Sequence, residues 1–410
     1  MGGNAVSRSW VQGCFARYYA EHPISLPYAA ARREFGYGSQ SKIERRHTGF
    51  ADDGEFNAFL QNQSPLYVSA SVSEYVFPTL QPMEKKQWVG GDLIYEFDAD
   101  DIPTPCKTQH DAWECPACGE QGKGRVAKCT QCGKGTQLEE WVCGECVRAT
   151  KEKTNNLIRL LQDDWGFDWG KTIFVNFSGS KGYHVHVRSP HIFSLPKSAR
   201  IELMDYVSFH EMDVSSLGFF FDGKQYHCPL PARAKGHASR ILDELRALLL
   251  HADETEWSIL SHSSPRAIRT FLNDRSLLLR DVHAGILPVL PGKKTEPFWD
   301  AVLAALVDRL RLPIDRQCSS DIHRLMRVPN TLHGSTGLLA QSLSEEEFEG
   351  YSPFRDGAVV KGKDRRIFVK KCPLVEIGTD TLSPIDEGKD ITVSPAMAVY
   401  LVGWGAAELR

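Results

Sequence analysis

The sequence predicts a mixed α/β fold, of the α+β kind, on three observations. Residues 147–163 and 296–312 repeat their apolar positions with helical period. The runs "PLYVSASVSEYVF" and "KTIFVNFSGSKGYHVHV" are β-rich and broken by small-residue turns, which reads as strands. A chain of 410 residues with 42% hydrophobic content can bury the cores of two or three domains.

In chain order, "WVQGCFARYYAEHP" reads as a helix and "PLYVSASVSEYVF" as a strand region. "LIYEFDAD" reads as a further strand, followed by a cysteine-rich block. Residues 147–163 form an amphipathic helix with Leu157, Leu160 and Leu161 on the buried side. "KTIFVNFSGSKGYHVHV" is strand, turn, strand. Residues 198–282 are less regular and mostly helical. "EPFWDAVLAALVDRLRL" is an amphipathic helix that stops at Pro313. The last 65 or so residues return to β-rich text with the basic run "KGKDRRIFVKK".

The formal charge is −4, so any nucleic-acid binding must come from local basic patches. No apolar run reaches the ~18 residues of a membrane span, and "MGGNAVSRSW" lacks the apolar stretch of a signal peptide. Residue 6 is Val where a myristoylation signal needs Ser or Thr. A chain free of membrane spans and acting inside the cell is expected.

On the strand "LIYEFDAD", side chains alternate between faces. Ile94, Glu96, Asp98 and Asp100 share one face. Asp98 and Asp100 then project together and repel unless a cation lies between them. Mg²⁺ or Mn²⁺ suits such oxygen donors. In "FVNFSGSKGYHVHVRS", Ser178, Gly179, Ser180, Lys181 and Gly182 form a turn whose N–H groups can face phosphate oxygens. Lys181 adds a charge, and His184, His186 and Arg188 continue a polar face along the next strand.

A third segment, "LPIDRQCSSDIHRLMRVPNTLHGSTG", carries the same chemistry. Asp315 follows a short apolar stretch, with Asp321 as its nearest rival. Ser319 or Ser320 would cap a short helix that ends by Val328 before Pro329. Arg327 would then sit at a helix end and His333 in the turn beyond.

Seven of the eleven cysteines lie between Cys106 and Cys146. Clustered CxxC pairs in a chain with no signal peptide read as metal ligands. Cys115, Cys118, Cys129 and Cys132 have zinc-ribbon spacing. Cys106, His110, Cys143 and Cys146 remain as an outer set of four. Spacing alone also allows Cys115 and Cys118 to pair with the outer ligands. Cys14, Cys228, Cys318 and Cys372 lack CxxC partners and receive no ligand role.

Taken together, these segments resemble the small, catalytic subunit of archaeal and eukaryotic DNA primases, the archaeal form more closely. The resemblance runs from "REFGYGSQSKIERRHTGF" to "AMAVYLVGWG". It implies that Asp98 and Asp100 are the family's DxD, and that Ser178, Gly179, Gly182 and His184 match its SGxxGxH. Asp315 would be the last metal-binding acid, Arg327 a phosphate-contacting residue and His333 a nucleotide-binding histidine. An early phosphate-contacting arginine would be Arg46, with Arg45 as the other candidate. Glu96 stands where relatives often have Asp.

The resemblance also implies a catalytic core with an RRM-like part and a zinc knuckle after the DxD strand. Here the ribbon would be an insertion in that knuckle, serving template, partner or structure alone. The resulting layout is residues 1–105 as the first part of the core, 106–146 as the zinc-binding module, and 147–197 as core. Residues 198–296 would be a mostly helical subdomain, and 297–410 would complete the core with the third acid and the β-rich end. The expected activity is RNA primer synthesis on single-stranded DNA by two-metal transfer from NTPs, with two Mg²⁺ or Mn²⁺ and two structural Zn²⁺. The other candidate is a repair-type primase-polymerase preferring dNTPs. The implied partners are an iron–sulfur primase large subunit, template and replication proteins, in the archaeal cytoplasm or, in a eukaryote, the nucleus.

Overall fold

The computed structural model describes residues 5–289, 294–315, 318 and 320–410. The chain divides into two compact units. The first comprises residues 1–158, 167–201 and 314–410, and the second 159–166 and 202–313.

Two antiparallel sheets organise the first unit. Their strands are β1 (Phe35–Gly38), β2 (Arg45–Thr48), β3 (Tyr67–Ser71), β4 (Leu93–Asp98), β5 (Ile173–Phe177), β6 (Gly182–Val187), β7 (Leu325–Arg327) and β8 (Ser342–Leu343). The strand orders are β7–β3–β1–β2 and β8–β5–β6–β4. Alternation explains the second sheet. Leu93, Tyr95 and Phe97 of β4 and Tyr183, Val185 and Val187 of β6 are all buried. The β4–β6 register places Gly182 opposite Asp98 and His184 opposite Glu96. A side chain at position 182 would put its Cβ 2.6 Å from Asp98 Oδ1, so this close approach requires glycine.

The expected first helix is α1 (Ala5–Glu21). Helix α2 (Asp53–Gln63) starts where the Asp52 side chain accepts from Glu55 N–H. Helix α3 (Gly144–Trp165) buries Leu157, Leu160 and Leu161 as its periodicity predicts. At the C-terminal end, Arg365–Val369 pairs with Lys389–Val393 and Ala407–Leu409, and helix Pro395–Trp404 is buried along most of its length.

The second unit is largely helical, with helices Gly236–His251, Glu254–Ser261 and Thr295–Leu310 among its elements. Its core is aromatic: Trp257, Phe271, Phe298 and Trp299 meet at centroid separations of 5.0–6.2 Å. Helix Thr295–Leu310 belongs to this unit, although the sequence grouping assigned residues from 297 onward to the core. Phe298 and Trp299 explain the difference, since their partners are the aromatic residues of the helical unit.

Candidate active site and cysteine-rich module

The carboxylates begin on β4, and here the structure corrects the sequence reading. The strand ends at Asp98, and Ala99–Asp101 form a single 3₁₀ turn. Strand alternation therefore brings together Glu96 and Asp98, while Asp100 leaves the strand face. The Asp100 carboxylate is ion-paired with Lys181 of the glycine turn. Asp315 approaches Glu96: ligand atoms of Glu96, Asp315 and Cys318 all lie within 4.8 Å of one another. Arg324 bridges this group, donating to Glu96 and, at 3.3 Å, to Asp315. Cys318 Sγ donates to Glu96 Oε2 at 2.8 Å.

These contacts drive the two β4 carboxyls apart in acidity. Burial alone would raise the Glu96 pKa, but His184, Cys318 and Arg324 hold it far below the usual carboxylate range. Burial raises the Asp98 pKa, and the neighbouring Glu96 charge adds to the rise. A divalent cation would relieve that repulsion: Glu96 and Asp98 offer the oxygen donors a hard ion prefers, and Asp315 lies against Glu96.

The glycine turn lies beside these acids. Gly179 takes a positive φ of 78°. Ser178 Oγ accepts from Ser180 N–H at 3.3 Å and from Gly182 N–H at 3.2 Å. Those two N–H groups are thus engaged within the turn, whereas the sequence reading had them open to phosphate. The segment Leu332–Leu338 folds against the turn, with Thr336 Oγ1 donating to Gly179 O. This packing sets buried His333 beside Gly179, where an added Cβ would lie 2.8 Å from His333 Cβ.

Arg327 lies on β7, paired with Ser69 of β3, and not at a helix end. The helix expected from Ser319 or Ser320 cannot be followed through Ser319, which lies outside the described residues. "LMR" pairs as a strand because β3 offers it an open edge. Arg327 is partly buried. Its Nη1 is fully shielded and has no hydrogen-bond partner among the described residues. Its guanidinium stands 5.2 Å from the Tyr67 ring centroid, and Tyr67 meets His333 edge-on at 5.5 Å. Burial lowers the Arg327 pKa to about 10. Burial, followed by the Arg327 charge, pushes His333 well below its ordinary value.

Arg46 on β2 is held by buried Glu34, through contacts of 2.9 and 3.2 Å. Glu34 also pairs with buried Lys86 at 2.9 Å. Arg45 is exposed on the same strand.

The cysteine-rich block forms two nested clusters. Ligand atoms of Cys106, His110, Cys143 and Cys146 gather within 4.8 Å, as do those of Cys115, Cys118, Cys129 and Cys132. The other pairing open to the sequence is not adopted. Sulfur pairs stand 3.4–3.8 Å apart. That is too long for a disulfide and close to the ~3.8 Å edge of a tetrahedron with ~2.3 Å metal–sulfur bonds. His110 Nδ1 contacts Asp111 at 2.8 Å, which leaves Nε2 facing the cluster. Both sets fit a tetrahedral ion.

Sequence reasoning missed Glu96 as a member of the acidic site, although alternation from Asp98 pointed to it. It also missed Tyr67 and Cys318. Tyr67 and Cys318 carried no local signal, because their roles arise only when distant segments meet.

Fold and site define a mixed α/β protein with a carboxylate cluster, an adjoining cationic glycine turn and two candidate metal centres. Residues 136–345 match the family model described as DNA primase small subunit. The chain belongs to the DNA primase small subunit family. It is 28% identical over 397 residues to DNA primase small subunit PriS of Cenarchaeum symbiosum, with 96% of each chain covered. The PriS proteins of Halobacterium salinarum and Methanococcoides burtonii are 27% and 26% identical, with 98% of each chain covered.

Proposed function

We propose that this protein makes RNA primers on a single-stranded DNA template, joining NTPs by transfer of a nucleotidyl group to a ribose 3′-hydroxyl. One observation carries the reading: Glu96 and Asp98 on one strand face, Asp315 against Glu96, all beside a glycine turn bearing Lys181. A site for phosphate alone would not gather carboxylates; a site that also takes divalent cations would. Two Mg²⁺ or Mn²⁺ ions held by Glu96, Asp98 and Asp315 would activate the 3′-hydroxyl and stabilise the leaving pyrophosphate. Asp100, first expected as a ligand, instead serves as counter-ion to Lys181 until a triphosphate takes the lysine.

The remaining residues bind and orient. Arg327 has an unsatisfied donor, so a phosphate oxygen there fills a hydrogen bond at little reorganisation cost. His333, kept neutral beside Arg327, contacts sugar or phosphate as a neutral group. Arg46 is oriented by Glu34 toward the same triphosphate. The long bond from Ser180 N–H to Ser178 Oγ is weak enough to be exchanged for phosphate. His184, opposite Glu96, orients that carboxylate. Template contacts fall mainly on backbone phosphates, because base pairing reads the sequence.

Both cysteine clusters hold Zn²⁺ in this reading, supported by their sulfur spacing. The antiparallel sheet β8–β5–β6–β4 supports assignment of the RRM-like part. Partners are an iron–sulfur primase large subunit and other replication proteins. Among the described residues no helix is long and apolar enough to cross a membrane, and the archaeal relatives favour the cytoplasm as its place. The test supplies template and NTPs, or dNTPs, with no primer. Template-dependent di- and oligonucleotides from NTPs are expected. Primer-free product formed from dNTPs and not from NTPs would overturn the proposal in favour of the repair-type primase-polymerase.

A further inference from the structure

The 3₁₀ turn Ala99–Asp101 carries Asp100 and follows directly on Asp98, so its position fixes both carboxylates and the Lys181 ion pair. The turn does little for its own carbonyls, since Ile102 N–H donates to Ala99 O at a long 3.4 Å. Two cations from the cysteine-rich module satisfy them. Buried Lys107 donates to Ala99 O at 2.6 Å and to Asp100 O at 3.0 Å. Arg125 donates to Asp100 O at 3.3 Å.

Each cation is itself anchored in that module. Lys107 opens the short helix Lys107–His110, next to Cys106 and on the element that bears His110. Arg125 lies between Cys118 and Cys129 of the inner cluster. Its Nε pairs with Asp111 at 2.7 Å, and its Nη2 with Glu140 at 2.8 Å. Asp111 is fully buried and also takes His110 Nδ1 at 2.8 Å and Trp141 N–H at 3.0 Å. Asp111 thus ties the outer cluster, the inner loop and, through Arg125, the carboxylate turn into one set of contacts.

We infer that the cysteine-rich module clamps the carboxylate turn, with Arg125 and Lys107 as positioning residues for the transfer reaction. The inserted inner cluster holds Arg125 where its fork reaches both Asp111 and the Asp100 carbonyl. Arginine suits this role because its planar fork spans two acceptors; lysine would keep the charge and lose the second reach. This inference rests on the primer-synthesis reading for its consequence, though not for its geometry. Misplacement of reacting groups by about 1 Å can lower a rate by roughly a hundredfold. Loss of one clamp bond of three therefore predicts a smaller fall in kcat, on the order of tenfold, with KM for NTP nearly unchanged.

The experiment uses the full chain and compares wild type, Arg125→Ala and Arg125→Lys. It reads kcat and KM for primer synthesis, metal content, and amide exchange in the segment Glu96–Ile102 and in β5. Arg125→Lys keeps the charge facing Asp111 and Glu140, which guards against a variant that fails to fold. The expected result is lower kcat, constant metal content, and faster exchange confined to Glu96–Ile102 in both variants. Unchanged exchange and kcat in Arg125→Lys would overturn the clamp. Exchange rising equally in β5, or metal lost, would also overturn it, by showing a general structural role. Should wild type make no primers, the primer-synthesis reading falls, while the exchange comparison still decides the clamp.

Discussion

Arg327→Met should stabilise the nucleotide-free protein and destabilise it relative to wild type once nucleotide is present. Methionine keeps much of the length of arginine and removes the charge. Among the described residues, the shielded Nη1 of wild type has no hydrogen-bond partner and no carboxylate pairs with this guanidinium. An unsatisfied buried donor costs about 1–3 kcal/mol, and the cation over Tyr67 returns about 0.5–1 kcal/mol. The net gain from substitution is on the order of 1 kcal/mol, which raises Tm by roughly 1–2 °C for a chain of this length. A charge-assisted phosphate contact contributes about 1.5–3 kcal/mol. Its loss weakens nucleotide binding by roughly ten- to a hundredfold. At a nucleotide concentration about 100 times the wild-type Kd, wild type gains ~2.7 kcal/mol. The variant then gains only about 0.4–1.4 kcal/mol. The order of the two Tm values therefore reverses. Thermal unfolding with and without a non-hydrolysable NTP and Mg²⁺, beside steady-state kinetics, measures both effects. A variant that melts below wild type without nucleotide, and shows the same nucleotide-induced shift, would make Arg327 a structural cation and refute the reasoning.

Glu34→Gln leaves Lys86 buried without its counter-charge, and should cost about 3–5 kcal/mol in denaturant unfolding. Arg46→Ala leaves the Glu34–Lys86 pair intact and should cost much less stability while raising KM for NTP, so equal stability losses would contradict the geometry. Metal analysis should find two zinc per chain, and Cys143→Ser should lower Tm more than Cys129→Ser, because Cys143 leads directly into α3; one zinc per chain or the opposite order would reject this. Burial holds the His237 pKa down to about 4, against 6.5 when unfolded. Its neutral form favours the fold, and that stability is present above about pH 6.5 and lost as pH falls toward 4. His237→Gln should therefore flatten the loss of stability of the helical unit over that window, and an unchanged slope would remove His237 as the cause.

The CxxC pairs were legible in the sequence because their spacing is local; spacing left the pairing of the two clusters open, and the nesting was what the family resemblance implied. Long periodic helices such as α3 were legible for the same reason. The register of the acids was not. "EFDAD" offers acids at three alternating positions, and only the end of β4 at Asp98 decides which two share a face. At that end Lys107 and Arg125 reach the turn carbonyls, through contacts that no window of strand residues contains. Arg327 was misread for a related reason. Its segment has residues compatible with a helix, yet it completes the edge of β3, more than 250 residues earlier in the chain. Tyr67, which touches both Arg327 and His333, is visible only after that pairing is known.

The proposed primase site stands or falls with Glu96, Asp98 and Asp315 as its cation-binding acids. Its most direct test is primer-free dinucleotide synthesis by Glu96→Gln, Asp98→Asn, Asp315→Asn and Asp100→Asn, in Mg²⁺ and in Mn²⁺. Thermal unfolding of the zinc-loaded proteins serves as the control for fold. Losses of roughly a hundredfold or more are expected for the first three variants, each still folded. Asp98→Asn should also melt at or above wild type when Mg²⁺ and Mn²⁺ are absent, because the buried like-charge repulsion is gone. Asp100→Asn should lose less, and mainly in KM for NTP. Near wild-type synthesis by folded Asp98→Asn in either metal would contradict the account.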